Sequence, residues 1–252
     1  MHYDFEKLEP LGNGVEIIVS DMYHFSTDTI LLADFAKPKK NDCVIELGTG
    51  CGTMPLLWTR EHPLKELYAI DIQDKAIDML NRSIKHNITN GIKQVECITA
   101  LCTDLKDLKS KCEFGHFSLV VCNPPYKLAG TGIVNPDNEK LLARHEESCT
   151  LDDICKAAAQ LLQFSGRFCI CQRPERLADV MESMRRFQIE PKRLRLVQQR
   201  KDKEPKLFLL EGRYKGNRGF MQVMPTLFIE DENGDFSDEM KQIYGLYKEG
   251  RI

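Results

Sequence analysis

The chain has 252 residues, 42% of them hydrophobic and 29% charged, a composition that excludes a wholly disordered protein. Its 35 basic and 38 acidic residues leave a net charge of −3, which excludes a polybasic, histone-like binder but not nucleic acid held on a local patch. No apolar run approaches the roughly 20 residues that span a bilayer, and the opening MHYDFEKLEP lacks an apolar signal core. The expectation is a cytoplasmic protein with no membrane partner.

Residues 11–19 carry a turn signal, Gly12-Asn13-Gly14, and then a β-rich run, which predicts a hairpin. Residues 27–36 predict a short helix that ends before Pro38. An alternating series follows. Strands are expected at 43–47, 66–70, 94–98, 117–122 and 166–171, and helices at 55–61, 74–87, 150–164 and 174–187. Thr150 and Asp153 have the spacing of a capping box. Residues 193–198 and 206–211 follow without a helix between them and predict an antiparallel pair closing the sheet. Strands alternating with helices imply a mostly parallel sheet covered on both faces. No repeat, low-complexity tract or linker divides the chain, so 1–252 is read as one domain. Residues 1–40 form its N-terminal hairpin and helix, 41–220 its core and 221–252 a C-terminal extension.

None of the ten cysteines forms a C-x-x-C pair; the closest spacing is Cys169-Ile170-Cys171. Cys43, Cys97, Cys122, Cys169 and Cys171 sit in or beside apolar runs, where cysteine acts as a small hydrophobe. Reduced core thiols and no metal site are expected. Asp231-Glu232-Asn233-Gly234-Asp235 mimics the start of a calcium loop. Phe236 stands at the glycine position and Gln242 at the final acid position, so the segment is read as a turn.

Glu46-Leu47-Gly48-Thr49-Gly50-Cys51-Gly52 follows the first parallel strand and precedes a helix. Glycines there let backbone amides approach a ligand closely. Asp71 ends the next strand at the spacing of an acid that meets ribose hydroxyls. Asp104 follows the third strand, where it could accept from an adenine amino group or cap the next segment with Asp107. The acid-led G-x-G-x-G loop resembles that of the class I S-adenosylmethionine-dependent methyltransferases rather than that of the dehydrogenases.

The fourth strand runs straight into Asn123-Pro124-Pro125-Tyr126. Two prolines stiffen the turn and remove two backbone donors. Acceptors remain, the Asn123 side-chain carbonyl and the Pro124 carbonyl, and Tyr126 adds a ring face. A conjugated exocyclic amine is a poor nucleophile. Two acceptors holding its hydrogens aim its lone pair, while the ring stacks on the planar group that carries it. An ordinary proline turn is the plainer alternative, but the turn shares its sheet with the glycine loop.

Across FSTDTILLADF (25–35), VIELGTGCG (44–52), CNPPY (122–126), LARHE (142–146), QRPERL (172–177) and EPKRLRLV (190–197), the chain resembles the tRNA1(Val) (adenine-37) N6-methyltransferase family. The resemblance implies a Rossmann-like class I methyltransferase fold, with a seven-stranded, mostly parallel sheet, an antiparallel hairpin and helices on both faces. It implies S-adenosyl-L-methionine as cofactor, tRNA as partner and a monomer. Gly48, Gly50 and Gly52 would line the methionine side, Asp71 would meet the ribose and Asp104 the adenine, with Glu46, Thr49, Ile72 and Leu105 also among the cofactor-binding residues. Thr27, with Ser26 and Asp28, would approach from the N-terminal segment. Asn123, Pro124 and Tyr126 would hold the target amine, Asn123 also touching the cofactor.

Residues 190–218 hold ten Lys/Arg and four acids, a local excess that suits a polyanion. Arg200 and Lys201 within it, and Lys127 and Arg144 around the polar 127–140 stretch, are the expected RNA contacts. A solvated basic face is the alternative, and His145 beside Arg144 is read as a hydrogen-bonded histidine without an acid–base role. Rival activities are a protein-glutamine N5-methyltransferase, which also uses Asn-Pro-Pro-Tyr, and an rRNA guanine-N2 methyltransferase. The non-enzymatic rival is a catalytically idle RNA-binding protein.

Overall fold

The computed structural model describes residues 5–125 and 149–248. The chain opens with a hairpin, β1 (Lys7–Gly12) and β2 (Val15–Val19), turned through Gly12, Asn13 and Gly14 at positive φ. Then follow α1 (Thr27–Ala36), β3 (Cys43–Leu47), α2 (Thr53–Trp58), β4 (Glu66–Asp71), α3 (Asp74–Thr89), β5 (Ile98–Cys102) and β6 (Phe117–Cys122). Beyond residue 148 come α4 (Leu151–Leu161), β7 (Leu162–Gln172), α5 (Leu177–Arg186), β8 (Ile189–Gln198) and β9 (Pro205–Tyr214). The short β10 (Gln222–Val223), β11 (Leu227–Phe228) and α6 (Asp238–Lys248) complete the elements.

The main sheet has the order β10-β8-β9-β7-β6-β3-β4-β5, with β11 also on β8. Its seven longer strands are parallel except β9, which lies antiparallel between β7 and β8. The expected antiparallel pair therefore sits partly inside the sheet, and two-residue strands add to its outer edge.

Alternation along the strands sorts side chains onto two faces. Val44, Leu67, Ala69, Leu119, Val121 and Cys169 pack against α1, α2, α3 and the hairpin. Ile45, Leu47, Ile70, Val120, Phe168 and Ile170 pack against α4 and α5. Seven of the ten cysteines are buried, Cys43, Cys122, Cys169 and Cys171 among them, whereas Cys97 is only half-buried. No described helix is long and apolar enough to cross a membrane.

Several boundaries differ from expectation. Residues 94–98 are not a strand: Lys93–Cys97 forms a 3-10 turn and the strand begins at Ile98. Val95 is fully buried from that turn, so its apolar character serves packing rather than a ladder. The helix expected at 55–61 runs from Thr53 to Trp58, where the Thr59 hydroxyl donates to the Pro55 carbonyl at 3.0 Å. Pro174–Arg176 is a 3-10 turn ahead of α5. Thr150 does cap α4: its hydroxyl accepts from the Asp153 amide at 3.2 Å, and the Asp153 carboxylate accepts from the Thr150 amide at 2.9 Å.

Helix α1 is held from both sides. Its last turn leaves carbonyls without helical donors. Arg167 of β7 donates to Ala36 O at 2.7 Å and Arg193 of β8 to Phe35 O at 2.7 Å, while Trp58 Nε1 adds a second donor, at 3.0 Å, to Ala33 O, which also accepts from the Lys37 amide. Arg193 also stacks over the Phe35 ring at 4.1 Å and pairs with Glu211 at 2.8 Å. At the other end the Tyr244 hydroxyl of α6 donates to Thr27 Oγ1 at 3.1 Å.

Candidate functional site

Parallel strands deliver their carboxyl ends to one rim, where ligands bind in open α/β sheets. Leu47 of β3 and Cys122 of β6 are register partners, so the glycine loop and the Asn-Pro-Pro turn leave the sheet side by side. Beyond Leu47 the chain turns toward β4: the Gly48 and Thr49 amides both donate to Ile70 O at 2.9 Å. Gly48, Gly50 and Gly52 all have positive φ.

The three glycines do different work. A Cβ on Gly48 or Gly50 would meet nothing within 4 Å, so these two present bare backbone to open space. A Cβ on Gly52 would stand 2.2 Å from Leu80 Cδ1, so Gly52 serves the packing of α3 on the loop. The expected ligand-facing role suits Gly48 and Gly50; contact in the core accounts for Gly52.

Asp71, 7% exposed, is tied into the loop. Its Oδ2 accepts from the Gly50 amide at 2.8 Å, and its Oδ1 from the Gln73 amide at 3.0 Å and Gln73 Nε2 at 3.4 Å. Tyr23 donates to Gln73 Oε1 at 2.8 Å and so fixes that amide. A carboxylate offers about four acceptor positions, so these three donors leave Asp71 with capacity for a ligand hydroxyl. Ile72 follows with 48% of its surface exposed. Thr103 donates its amide to Asp71 O at 2.9 Å, which brings the 103–107 turn beside Asp71. Asp104 Oδ1 accepts from the Lys106 amide at 2.9 Å; no helix follows, so it shapes a turn and caps nothing. Leu105 is half-buried against the α4–α5 side.

Glu46 is almost fully buried and accepts from the Thr49 hydroxyl at 2.5 Å. Burial drives its carboxyl well above the usual carboxylate range; the Thr49 bond opposes that and the nearby Asp71 charge adds to it.

Asn123 is half-buried, Pro124 buried and Pro125 exposed. Asn123 Nδ2 donates to Thr29 Oγ1 of α1 at 3.3 Å. This bond turns the amide nitrogen toward α1 and so sets the orientation of the whole amide. Tyr126, Lys127, Arg144 and His145 lie outside the described residues. Thr29, Gln73 and Tyr23 were not foreseen; only Gln73, two residues past Asp71 at a strand–helix turn, carries a local signal.

The basic segment divides. Arg200 and Lys201 occupy the β8–β9 turn on the same rim as Asn123, but each faces an acid: Arg200 Nε lies 3.8 Å from Glu230 and Lys201 Nζ 3.7 Å from Glu232. Arg193 holds α1, and Arg195, 8% exposed, pairs with Glu239 at 2.6 Å. Lys215 and Arg218 stand at the opposite end of the sheet, lining a cavity of about 260 Å³ with Arg185 and Glu190. The segment is therefore not one patch beside the glycine loop, because strands β8 and β9 carry its charges to both ends.

The chain is 26% identical over 220 residues to the tRNA1(Val) (adenine(37)-N6)-methyltransferase of Porphyromonas gingivalis, covering 84% of each chain. It is 27% identical over 186 residues to the enzyme of that name from Parabacteroides distasonis, covering 73% of this chain and 74% of the relative. With the Flavobacteriaceae and Vibrio parahaemolyticus enzymes of the same name, the match spans little more than half the relative's length, 59% and 55%. A predicted O-methyltransferase from Agrobacterium tumefaciens has a similar structure, with a TM-score of 0.69 at 16% identity over 88% of this chain and 97% of the other. A geranyl diphosphate C-methyltransferase from Streptomyces coelicolor, solved with S-adenosyl-L-homocysteine, gives 0.52 at 10% identity over 85% and 90%. These likenesses establish a Rossmann-like methyltransferase fold. The methyltransferase small-domain pattern matches residues 25–188, more than half of the sequence, and the chain belongs to that family.

Proposed function

We propose that the protein transfers a methyl group from S-adenosyl-L-methionine to the exocyclic N6 of an adenine in tRNA, position 37 of a valine tRNA being the target. The observation that carries this is the pairing of Leu47 with Cys122, which sets the glycine loop and the Asn-Pro-Pro turn side by side on one rim. The reading takes 1–252 as one catalytic domain acting as a monomer in the cytoplasm, with the names of its relatives supporting tRNA as substrate.

The residues fit the cofactor. Gly48 and Gly50 present bare backbone to open space that a ligand can approach closely, and Asp71 keeps acceptor capacity for a ribose hydroxyl. Asp104 and Leu105 would border the adenine, Ile72 the ribose edge, and Thr27 and Thr49 the approach to the loop. When bound, the cofactor supplies a methyl group on a positively charged sulfur, already activated for transfer. The chain's task is to hold the amine. The Asn123 oxygen and the Pro124 carbonyl accept its two hydrogens, Tyr126 stacks on the base, and the lone pair is aimed by position. The surplus proton leaves to solvent after transfer, so the site orients the amine and needs no strong base. Lys127 and Arg144 would contact the RNA.

The test is methylation of unmodified tRNA with labelled S-adenosylmethionine, followed by mass spectrometry of nucleosides. N6-methyladenosine at position 37 of valine tRNA is expected. Transfer to a release-factor glutamine or to an rRNA guanine, with none to tRNA, would give the site to a rival, and cofactor binding without any transfer would leave an idle RNA-binding protein.

A further inference from the structure

At the end of the sheet opposite Asn123, three side chains of metal-binding type converge. Cys43 opens β3, Glu66 opens β4, and His116 immediately precedes β6. The strands are neighbours in the order β6-β3-β4, and Cys43 is the register partner of Glu66. Extending the pairing of Val44 with Leu119 sets Cys43 beside Ser118, and His116 lies two residues before it, at the same end of the sheet. The three ligand atoms lie within 4.8 Å of one another. His116 Nε2 and Glu66 Oε2 are already 2.7 Å apart, and Glu113 stands 3.8 Å from the other ring nitrogen. That second carboxylate can fix the ring's tautomer, as outer partners of metal-bound histidines do.

We propose that Cys43, Glu66 and His116 bind a divalent transition-metal cation of borderline softness, zinc(II) foremost, with water completing a four-coordinate shell. Thiolate, imidazole and carboxylate are the zinc donor set. Bonds of about 2.0–2.3 Å fit between donors at these separations after small side-chain rotations. Cys43 is buried, whereas the Glu66 and His116 side chains are 37% and 26% exposed, so the site has an inner wall and an entry path. On binding, the Cys43 thiol loses its proton to solvent, and the proton that His116 Nε2 shares with Glu66 gives way to the metal, the neutral ring keeping its one proton on Nδ1, on the side of Glu113. No oxidation is involved. The ion would tie together the amino ends of three central strands. Pair spacing along the chain could not reveal such a site, because the ligands come from three separate strands.

The test is titration of chelator-stripped protein with cobalt(II) alone, read by optical absorption. One cobalt per chain with a sulfur-to-cobalt charge-transfer band is expected, and zinc(II) should displace it. Cys43→Ser should abolish the band. His116→Gln should weaken binding at least about 10–100-fold, since even outer partners of a metal site contribute that much. Cys102→Ser, which removes an exposed thiol elsewhere, should change nothing. The proposal fails if no sulfur band forms, if the band survives Cys43→Ser, or if His116→Gln binds as the parent does. Circular dichroism checks each variant's fold; should Cys43→Ser unfold, His116→Gln decides.

Discussion

The side-chain amide of Asn123 donates to the hydroxyl of Thr29, 94 residues earlier and 3.3 Å away. An asparagine amide presents a donor on one side and an acceptor on the other, and a flip exchanges them. Ser26 Oγ lies 3.4 Å from the Thr29 hydroxyl and can accept a hydrogen bond from it, while the Thr29 oxygen accepts from Asn123. Thr29→Val should lower kcat about tenfold, the effect of roughly 1.4 kcal/mol in a barrier, with S-adenosylhomocysteine affinity unchanged. Thr29→Ser should restore most of the rate. Asn123→Ala sets the upper limit, a fall of about 10²–10³ in kcat with tRNA binding kept, the scale of losing a preorganised polar contact. Single-turnover kinetics with separate binding measurements checks the split.

The glycines of the loop should respond differently to alanine. Gly50→Ala meets no neighbour, so its stability cost is that of a left-handed non-glycine residue, about 1–2 kcal/mol. Its methyl would enter the ligand space, and calorimetry should show a large loss of S-adenosylhomocysteine binding. Gly52→Ala drives a methyl into Leu80 and should cost about 1–3 kcal/mol more. Urea denaturation of the two variants should place them in that order.

Glu46 links stability to pH. Because its carboxyl titrates above the usual range in the fold, the folded state keeps a proton that the unfolded chain has already lost. Stability contributed by that proton is complete below the unfolded value of about 4.3. It is lost as pH rises toward the raised folded value, with a slope of up to about 1.4 kcal/mol per pH unit. Glu46→Gln should remove this fall, so the variant gains on the parent as pH rises. Denaturation across the range pH 4–8 reads the difference, and equal pH profiles would contradict it.

Arg200 and Lys201 share the rim with Asn123 but are partly offset by Glu230 and Glu232. If they meet tRNA phosphates, Arg200→Ala should reduce the slope of log affinity against log salt by about 1. Glu230→Gln with Glu232→Gln should strengthen binding, and Lys215→Ala at the far end should leave it alone. Anisotropy titrations at several salt concentrations distinguish these outcomes.

The most legible features were those written locally. The acid-led glycine loop, Asp71 at the end of its strand and Asn123 after an apolar run are each specified by a few adjacent residues and by strand order. The partners that set their orientation are not local: Thr29 reaches Asn123 and Tyr23 reaches Gln73 only after helix and hairpin have docked. Charge counting also misled at Arg193 and Arg195. Their guanidinium groups satisfy carbonyls of α1 and of Pro225, a use that composition does not distinguish from phosphate binding. Val95 looked like strand because burial in a turn and burial in a ladder demand the same apolar residue.

The placement of β9 between β7 and β8 bears on how the chain is made. During synthesis β7 and β8 emerge first, yet they are not neighbours and cannot pair with each other in the native order. Until residues 205–214 leave the ribosome, β7 keeps one edge of unsatisfied amides and carbonyls, and β8 has no long partner at all. An exposed edge of this kind recruits other strands. Nascent chains stalled near the β8–β9 turn are thus prone to aggregate, even though the glycine loop and the Asn-Pro-Pro turn have by then been synthesised.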